Sequence, residues 1–382
     1  MNTTPNNIQM VDLTTQYARL QPEIDRAIAG VLRSGQYING DAVREFTGNL
    51  AKYTGAKFAI PCANGTDALQ IALMSLQLQP GDEVIVPAFT YIAAVEAIAI
   101  LNLRPVLVDV DEKTFNIDVS KIEKAISPRT RAIIPVHLFG QTCDMEPVMQ
   151  LAEKYRLFVI EDNAQSLGSI YTFSDGTQKQ AGTIGHIGTL SFFPTKNLGC
   201  YGDGGAMLTD DETLAKRLKM IASHGQAQKY RHEIIGCNSR LDTIQAAVLN
   251  VKLQHLDEFI AARQMAVSSY LSKLESIKWI ETPACIPSST HAYNQFTVKI
   301  KNDELKINNY ELQQYLKANN IPAMIYYPLP VHQQPAYQSI VRIGSDLGIS
   351  EKLCNSVLSL PMHTELTEEE CNYIAEKVVD KI

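Results

Sequence analysis

No run of apolar residues in this 382-residue chain approaches the length of a membrane span. No cysteine pair is spaced as CxxC, and the seven thiols (62, 143, 200, 237, 285, 354, 371) are scattered and odd in number. That spread speaks against a disulfide framework or a zinc site and for reduced thiols in a cytoplasm. Positive charge is not in excess either: the net charge is −7 with both signs interspersed, so a nucleic-acid footprint is not expected. The polar N-terminus MNTTPNNIQMVDLT lacks an apolar h-region, so no secretory signal is expected. There is no P-loop pattern, no GxGxxG after the first strand, no internal repeat and no low-complexity tract. What remains is an ordinary globular composition, 45% hydrophobic and 20% charged, on a chain too long for one hydrophobic core. Two domains in a cytoplasmic protein are expected, without membrane or nucleic-acid partners.

From about residue 45 to 250 short apolar runs alternate with amphipathic segments, the pattern of strands joined by crossover helices. Strands are predicted at 57–63, 83–89, 104–110, 131–138, 157–163, 188–194 and 205–210. Several are apolar at consecutive positions, as in a parallel sheet covered by helices on both faces. One long helix pattern, TIQAAVLNVKLQHLDEFIAARQMAVSSYLSKLE (243–275), then leads into a region of different character. The expectation is an α/β domain over 1–250, including an N-terminal arm, and a smaller α+β domain over 251–382.

Three stretches carry chemistry. In ANGTDALQIALMSL a strand ends, Asn-Gly-Thr turns and a helix begins. Backbone N–H groups of Gly65 and Thr66, with the Thr66 hydroxyl, would face an anion there, although the turn taken alone reads better as an ordinary N-cap by Asn64 or Thr66. In LFVIEDNAQS, Asp162 arrives at the carboxyl end of a central strand, the edge where open α/β sheets bind ligands. A buried carboxylate needs a cationic or hydrogen-bonding partner, and a protonated pyridine nitrogen is one; capping of the next turn accounts for Asp162 alone just as well. In GTLSFFPTKNLGCYGDGGAM, Ser191 lies on a strand whose end delivers Lys196 to the same edge. Desolvation lowers an ammonium pKa and leaves an amine able to attack a carbonyl. Singly, Lys196 reads as a surface side chain and Ser191 as a hydroxyl bonded to backbone. Together, an anion turn, a strand-end acid and a lysine after a serine-bearing strand fit pyridoxal 5′-phosphate (PLP). Tyr91, just past a strand end in VPAFTYIAAVEA, could stack on the pyridine or simply fill the core. Residues 224–249 gather His224, Lys229, Arg231, His232, Asn238 and Arg240, and Arg240 suits a carboxylate or phosphate.

GTDALQIAL, VPAFTYIA, PVHLFGQ, VIEDNAQSLGS, GTLSFFPTKNLG, GDGGA and GCNSRLDTIQAAVL resemble the sugar-nucleotide aminotransferases, the DegT-type family of fold-type I PLP enzymes, in consistent order from about residue 10 to the end. The resemblance implies a homodimer with active sites shared at the subunit interface, and glutamate as donor leaving as 2-oxoglutarate. It implies that Lys196 binds the cofactor covalently, Asp162 pairs the pyridine nitrogen, and Gln165 lies against the ring or its hydroxyl. Gly65, Thr66 and Ser191 would hold the 5′-phosphate, with Asn238 reaching across from the partner subunit and Tyr91 stacking. For the sugar nucleotide it points to Gly35, Tyr37, Thr195, Arg240 of the other subunit, Tyr326, Tyr327 and His332. The chain departs from relatives by Tyr326-Tyr327-Pro328 in place of HYP, by Thr195-Lys196 in place of SK, and by a longer segment at 171–182. The pattern HGQ…YRHE..G.NSRLD looks most like enzymes aminating C3 of a UDP-linked 3-keto hexose or hexuronic acid for surface polysaccharide such as O-antigen. C4 amination of a UDP- or dTDP-4-keto-6-deoxy sugar and a non-catalytic PLP-binding sensor stand as alternatives. In the related sugar dehydratases the lysine is replaced, typically by histidine, so Lys196 weighs against that chemistry.

Overall fold

The computed structural model describes residues 8–301 and 307–381; the first seven residues of the polar N-terminus lie outside them. Seven strands between residues 58 and 209 build most of the main sheet: β1 (Phe58–Cys62), β2 (Glu83–Pro87), β3 (Arg104–Val108), β4 (Thr130–Ile133), β5 (Phe158–Asp162), β8 (Ile187–Ser191) and β9 (Gly205–Thr209). The hairpin strands β6 (Ile170–Thr172) and β7 (Gln178–Gln180) stand outside it. The spatial order is β1-β9-β8-β5-β4-β2-β3, completed by the short strand Arg342–Ile343 from far along the chain. β9 is antiparallel to both neighbours, and every other pair is parallel. A mostly parallel sheet flanked by helices is therefore the observed architecture. Its strands explain the continuous apolar runs: Val84 and Val86 face one helical layer and Ile85 the other, all fully buried.

Helices α1 (Leu13–Ser34), α2 (Asp41–Thr54), α3 (Gly65–Ser75), α4 (Ala93–Ile100), α5 (Val119–Ala125), α6 (Met145–Tyr155) and α7 (Glu212–Ala222) cover that sheet. Local chemistry sets their ends. The Asp12, Asn64, Asp118 and Asp211 side chains accept first-turn N–H groups of α1, α3, α5 and α7, and α1 stops at Gly35 in the left-handed conformation, φ 65°.

The long helix expected over 243–275 is two helices, α8 (Thr243–Leu253) and α9 (Leu256–Leu274). The backbone tightens at the junction, where Gln254 N–H and His255 N–H reach back only three residues, to Val251 and Lys252. The buried residues of α8 belong to a core shared with α1, α2 and the β8–β9 pair. From Ala266 onward α9 belongs to a second core, with strands Ile280–Glu281, Phe296–Ile300 and Val357–Leu360 and helices Asn309–Ala318 and Glu368–Val379. α9 bridges the two, since its Leu256 and Phe259 still pack in the first core. The longer segment at 171–182 is the β6–β7 hairpin, turned at Gly176 (φ 85°). Among the described residues no helix is long and apolar enough to cross a membrane, and all seven cysteines are free.

Candidate active site

The carboxyl ends of β1, β5 and β8 and the amino end of β9 meet at one sheet edge. Gly205 opens β9 between Cys62 of β1 and Ser191 of β8, and Asp162 ends β5 opposite Thr189, two residues before Ser191. Sheet register therefore brings together residues that the sequence scatters over about 140 positions.

Three small residues line the first part of the site. A Cβ on Gly65 would lie 2.7 Å from Cβ of Ser191, and one on Gly205 would lie 2.4 Å from the Asn64 carbonyl oxygen. Glycine is required at both positions, and the result is a concave backbone surface at the start of α3. Asn64 caps the helix through Asp67 N–H (2.8 Å), while helix geometry leaves the N–H groups of Gly65 and Thr66 without intrahelical acceptors. The Ser191 hydroxyl accepts a long bond from Phe193 N–H (3.3 Å).

Lys196 follows, in a turn closed by its own N–H on Phe193 O (2.8 Å). The residue keeps some surface open to the cleft, but its amine lies deep enough that desolvation pulls its pKa down to about 8, against the opposing pull of Asp162. Asp162 is buried; desolvation raises its pKa, and the Ala164 N–H (3.1 Å), Lys196 and His137 offset that only in part. Each group feels the other, yet no ion pair closes between them. The donor set suits PLP on chemical grounds. An amine that gives up its proton far more readily than an ordinary lysine faces a site able to take a carbonyl, a buried carboxylate lacks a cation, and a side-chain-free cup offers N–H groups to a phosphate.

Gln165 is buried with Oε1 accepting Phe139 N–H (2.6 Å), and Nε2 donates to the Tyr327 hydroxyl (3.4 Å). Burial raises the Tyr327 pKa, so this hydroxyl stays protonated. The Tyr327 ring lies 6.1 Å from that of Tyr91, which is 59% exposed at the mouth of the site, and 5.8 Å from that of Tyr326. Thr195 is tied through its carbonyl to Asn294 Nδ2 (3.2 Å). Gly65, Thr66, Tyr91, Asp162, Gln165, Ser191, Thr195, Lys196, Tyr326 and Tyr327 thus line one sheet edge.

The remaining candidates stand apart. Tyr37, 48% exposed, offers its carbonyl to Thr243 N–H (2.9 Å), so Gly35 and Tyr37 lie beside the start of α8 together with Arg240. Asn238 is exposed on a segment anchored by Ser239, whose hydroxyl accepts from Ala63 N–H (3.0 Å) and donates to Asp67 (2.6 Å). Among the described residues no hydrogen bond joins Asn238 or Arg240 to Lys196 or Asp162. His332 is held by Glu351 (2.8 Å), with its other ring nitrogen buried and unpartnered.

The sequence named Glu161 only as a neighbour of Asp162. Its fully buried carboxylate accepts from Gly182 (2.8 Å), Ile184 (2.6 Å) and Gly185 (2.6 Å) N–H groups and meets His137 Nε2 at 2.8 Å. His137 Nδ1 accepts Cys143 N–H (3.1 Å), which assigns the ring proton to Nε2. Glu161 thereby pins the 182–185 loop and the 137–143 segment behind Asp162. Glu161→Ala leaves these donors buried without an acceptor and is expected to lower stability by about 3 kcal/mol or more, read from the urea midpoint. A midpoint equal to wild type would remove Glu161 from this role. A paired acid at a strand end was the only available signal, because its partners are 21 to 24 residues away.

The profile of the DegT/DnrJ/EryC1/StrS aminotransferase family matches residues 18–379. The chain is 43% identical over 376 residues to the pleiotropic regulatory protein of Geobacillus stearothermophilus, covering 98% of both proteins. It is 45% identical over 359 residues to the UDP-2-acetamido-2-deoxy-3-oxo-D-glucuronate aminotransferase of Pseudomonas aeruginosa, covering 94% of this chain and 96% of that one. Among solved structures, S. venezuelae DesV in complex with a ketimine intermediate is similar with a TM-score of 0.92 and 39% identity, covering 98% of each chain.

Proposed function

The chain belongs to the DegT/DnrJ/EryC1/StrS aminotransferase family, PLP-dependent enzymes that act on sugar nucleotides, and from that premise we propose that it carries an amino group from glutamate to C3 of a UDP-linked keto sugar. One observation carries the catalytic part: a buried amine at Lys196, pKa about 8, with the buried carboxylate of Asp162 near it and no ion pair between them. The UDP-3-keto assignment is supported by the 45% identity to an aminotransferase whose name specifies a UDP-linked 3-oxo-glucuronate.

PLP supplies the carbonyl that the amino groups join and a ring that delocalises carbanion charge. The protein's residues then have these roles. Lys196 Nζ, its pKa drawn down to about 8, would anchor the cofactor and be free to act on protons once glutamate is bound. The freed Nζ takes the proton from Cα of glutamate and, in the second half-reaction, delivers one to the sugar carbon that receives the amine. Asp162 would hold the proton on the ring nitrogen. Gly65, Thr66 and Ser191 would hold the phosphate; Gln165 and Tyr91 would fix the ring. Thr195, Tyr326, Tyr327 and His332 face the sugar nucleotide, as do Gly35, Tyr37 and Arg240.

Asn238 and Arg240 act across a homodimer interface in this reading. Tyr230 and Ile235, on the segment leading to them, are 81% and 87% exposed, a degree of apolar exposure that burial against a second copy would relieve. The small domain is assigned to 251–382 apart from the strand Arg342–Ile343 that joins the main sheet, and the enzyme to the cytoplasm, where its sugar nucleotide feeds polysaccharide assembly.

Incubation with glutamate and a panel of UDP- and dTDP-linked 3- and 4-keto sugars is expected to give an aminated UDP-3-keto product by mass, with 2-oxoglutarate released. Product only from 4-keto sugars would move the assignment to C4. The 43% identity to a regulatory protein gives a second reading, a PLP-binding sensor without turnover. Wild-type protein that yields no 2-oxoglutarate with any acceptor would select the sensor.

A further inference from the structure

The turn bearing Lys196 is gripped by a segment almost one hundred residues away. Nδ2 of Asn294 donates to the carbonyl of Thr195 (3.2 Å) and to Oδ1 of Asn197 (3.3 Å), the residues on either side of the lysine. Asn197 Nδ2 in turn donates to Ala292 O (3.3 Å), so the two side-chain amides clasp the turn. The Thr195 carbonyl only accepts, which fixes which end of the Asn294 amide faces it. As a consequence Asn294 Oδ1 is buried with no hydrogen-bond partner. The amide is oriented by what the lysine turn needs and not by its own satisfaction.

The segment carrying Asn294 is itself held on both sides. Arg263, buried on α9, donates through Nη1 to the carbonyls of Tyr293 (3.1 Å), Asn294 (3.4 Å) and Met362 (3.1 Å). On the other side Gly140 permits a close approach: a Cβ there would lie 2.6 Å from Tyr293 N and 2.8 Å from Asn294 N. Gln295 N–H donates to Phe139 O (3.2 Å), and Phe139 N–H donates to Gln165 Oε1 (2.6 Å). Residues 292–295 therefore touch the Lys196 turn at one end and at the other the 139–140 backbone, through which Phe139 reaches Gln165, three residues beyond Asp162.

We propose that Asn294 is a positioning residue for Lys196, fixing the peptide before it and the Asn197 side chain after it so that Nζ meets the reacting carbon in one orientation. This role rests on Lys196 being the reacting amine, as read above. It places control of the lysine in the second core of the chain, outside the sheet that carries the cofactor residues. A displacement of about 1 Å at a reacting group lowers the rate about a hundredfold, so loss of the grip is read in the chemical step and not in binding.

The test uses PLP-loaded Asn294→Asp, which keeps the size but turns a donor into an acceptor facing the Thr195 carbonyl, and Asn294→Ala. Both are expected to lower kcat by about ten- to a hundredfold with KM for each substrate within about twofold. Both are also expected to displace the pH midpoint of the bound cofactor's visible absorbance and to slow borohydride labelling of Lys196, followed by peptide mass. Wild-type kcat and an unmoved midpoint in whichever variant folds, with only the thermal midpoint lowered, would overturn the role and leave Asn294 a packing residue. Failure of the aminotransferase reading shows separately, in the wild type, as no 2-oxoglutarate from glutamate. The absorbance titration and the labelling of Lys196 still report on positioning in that case.

Discussion

Lys196→Ala is expected to lower steady-state transamination by at least about 10⁴-fold, because one nitrogen acts as nucleophile, base and acid. Far-ultraviolet circular dichroism should be unchanged, since the turn is closed by backbone and by Asn294. Appreciable turnover by the alanine variant would defeat the mechanism. The same lysine predicts a pH dependence of stability in the cofactor-free protein. Its pKa is about 8 when folded against an ordinary 10.5, so between these the unfolded chain binds more protons. Stability therefore rises with pH across that window, and below pH 8 the full unfavourable contribution of burying the ammonium is present. The distance from 10.5 to about 8 corresponds to about 3 kcal/mol. Lys196→Met should exceed wild type by up to about that amount at pH 7, the advantage fading as pH approaches 10.5. Urea titrations at several pH values read this directly, and a difference independent of pH would contradict it.

Asp162→Asn is the second large effect. An amide of the same shape cannot hold a proton on the ring nitrogen, so carbanion charge is no longer drawn into the ring. Loss of a preorganised charge partner of this kind lowers kcat by about 10²–10³-fold, and KM for the sugar should change little. Equal kcat in the Asn variant would show that the carboxylate has no part in the chemistry. Stability moves the other way. Burial raises the Asp162 pKa above 3.8, so the folded state binds the proton more tightly than the unfolded chain. Stability then falls as pH rises from 3.8 through the folded pKa, and at neutral pH the ionised group is a net burden in the cofactor-free protein. Asp162→Asn should accordingly unfold at higher urea than wild type. Both central residues thus sacrifice stability for reactivity, as functional sites commonly do.

The elements that position the site were legible because their signals are local. The strand runs at β1, β5, β8 and β9, the cap at Asn64 and the glycines after Lys196 each declare themselves within a few residues. The uninterrupted helix expected over 243–275 failed because its apolar pattern continues through residues 254–255, where the backbone tightens to three-residue hydrogen bonds and one helix gives way to the next. Asn294 gave no signal at all: its contacts to the lysine turn span 97 and 99 positions, and nothing in AYNQFTVKI distinguishes that amide from a surface one.

The amino-acid order alone determined which groups were available: an amine after an apolar strand, an acid at another strand's end, and glycines where backbone must come close. Only the folded chain decided that these would share one desolvated edge, because sheet register and the 292–295 strap are fixed by packing between segments far apart in sequence. Desolvation is a property of that assembled environment, and it is desolvation that turns an ordinary lysine into a nucleophile at neutral pH.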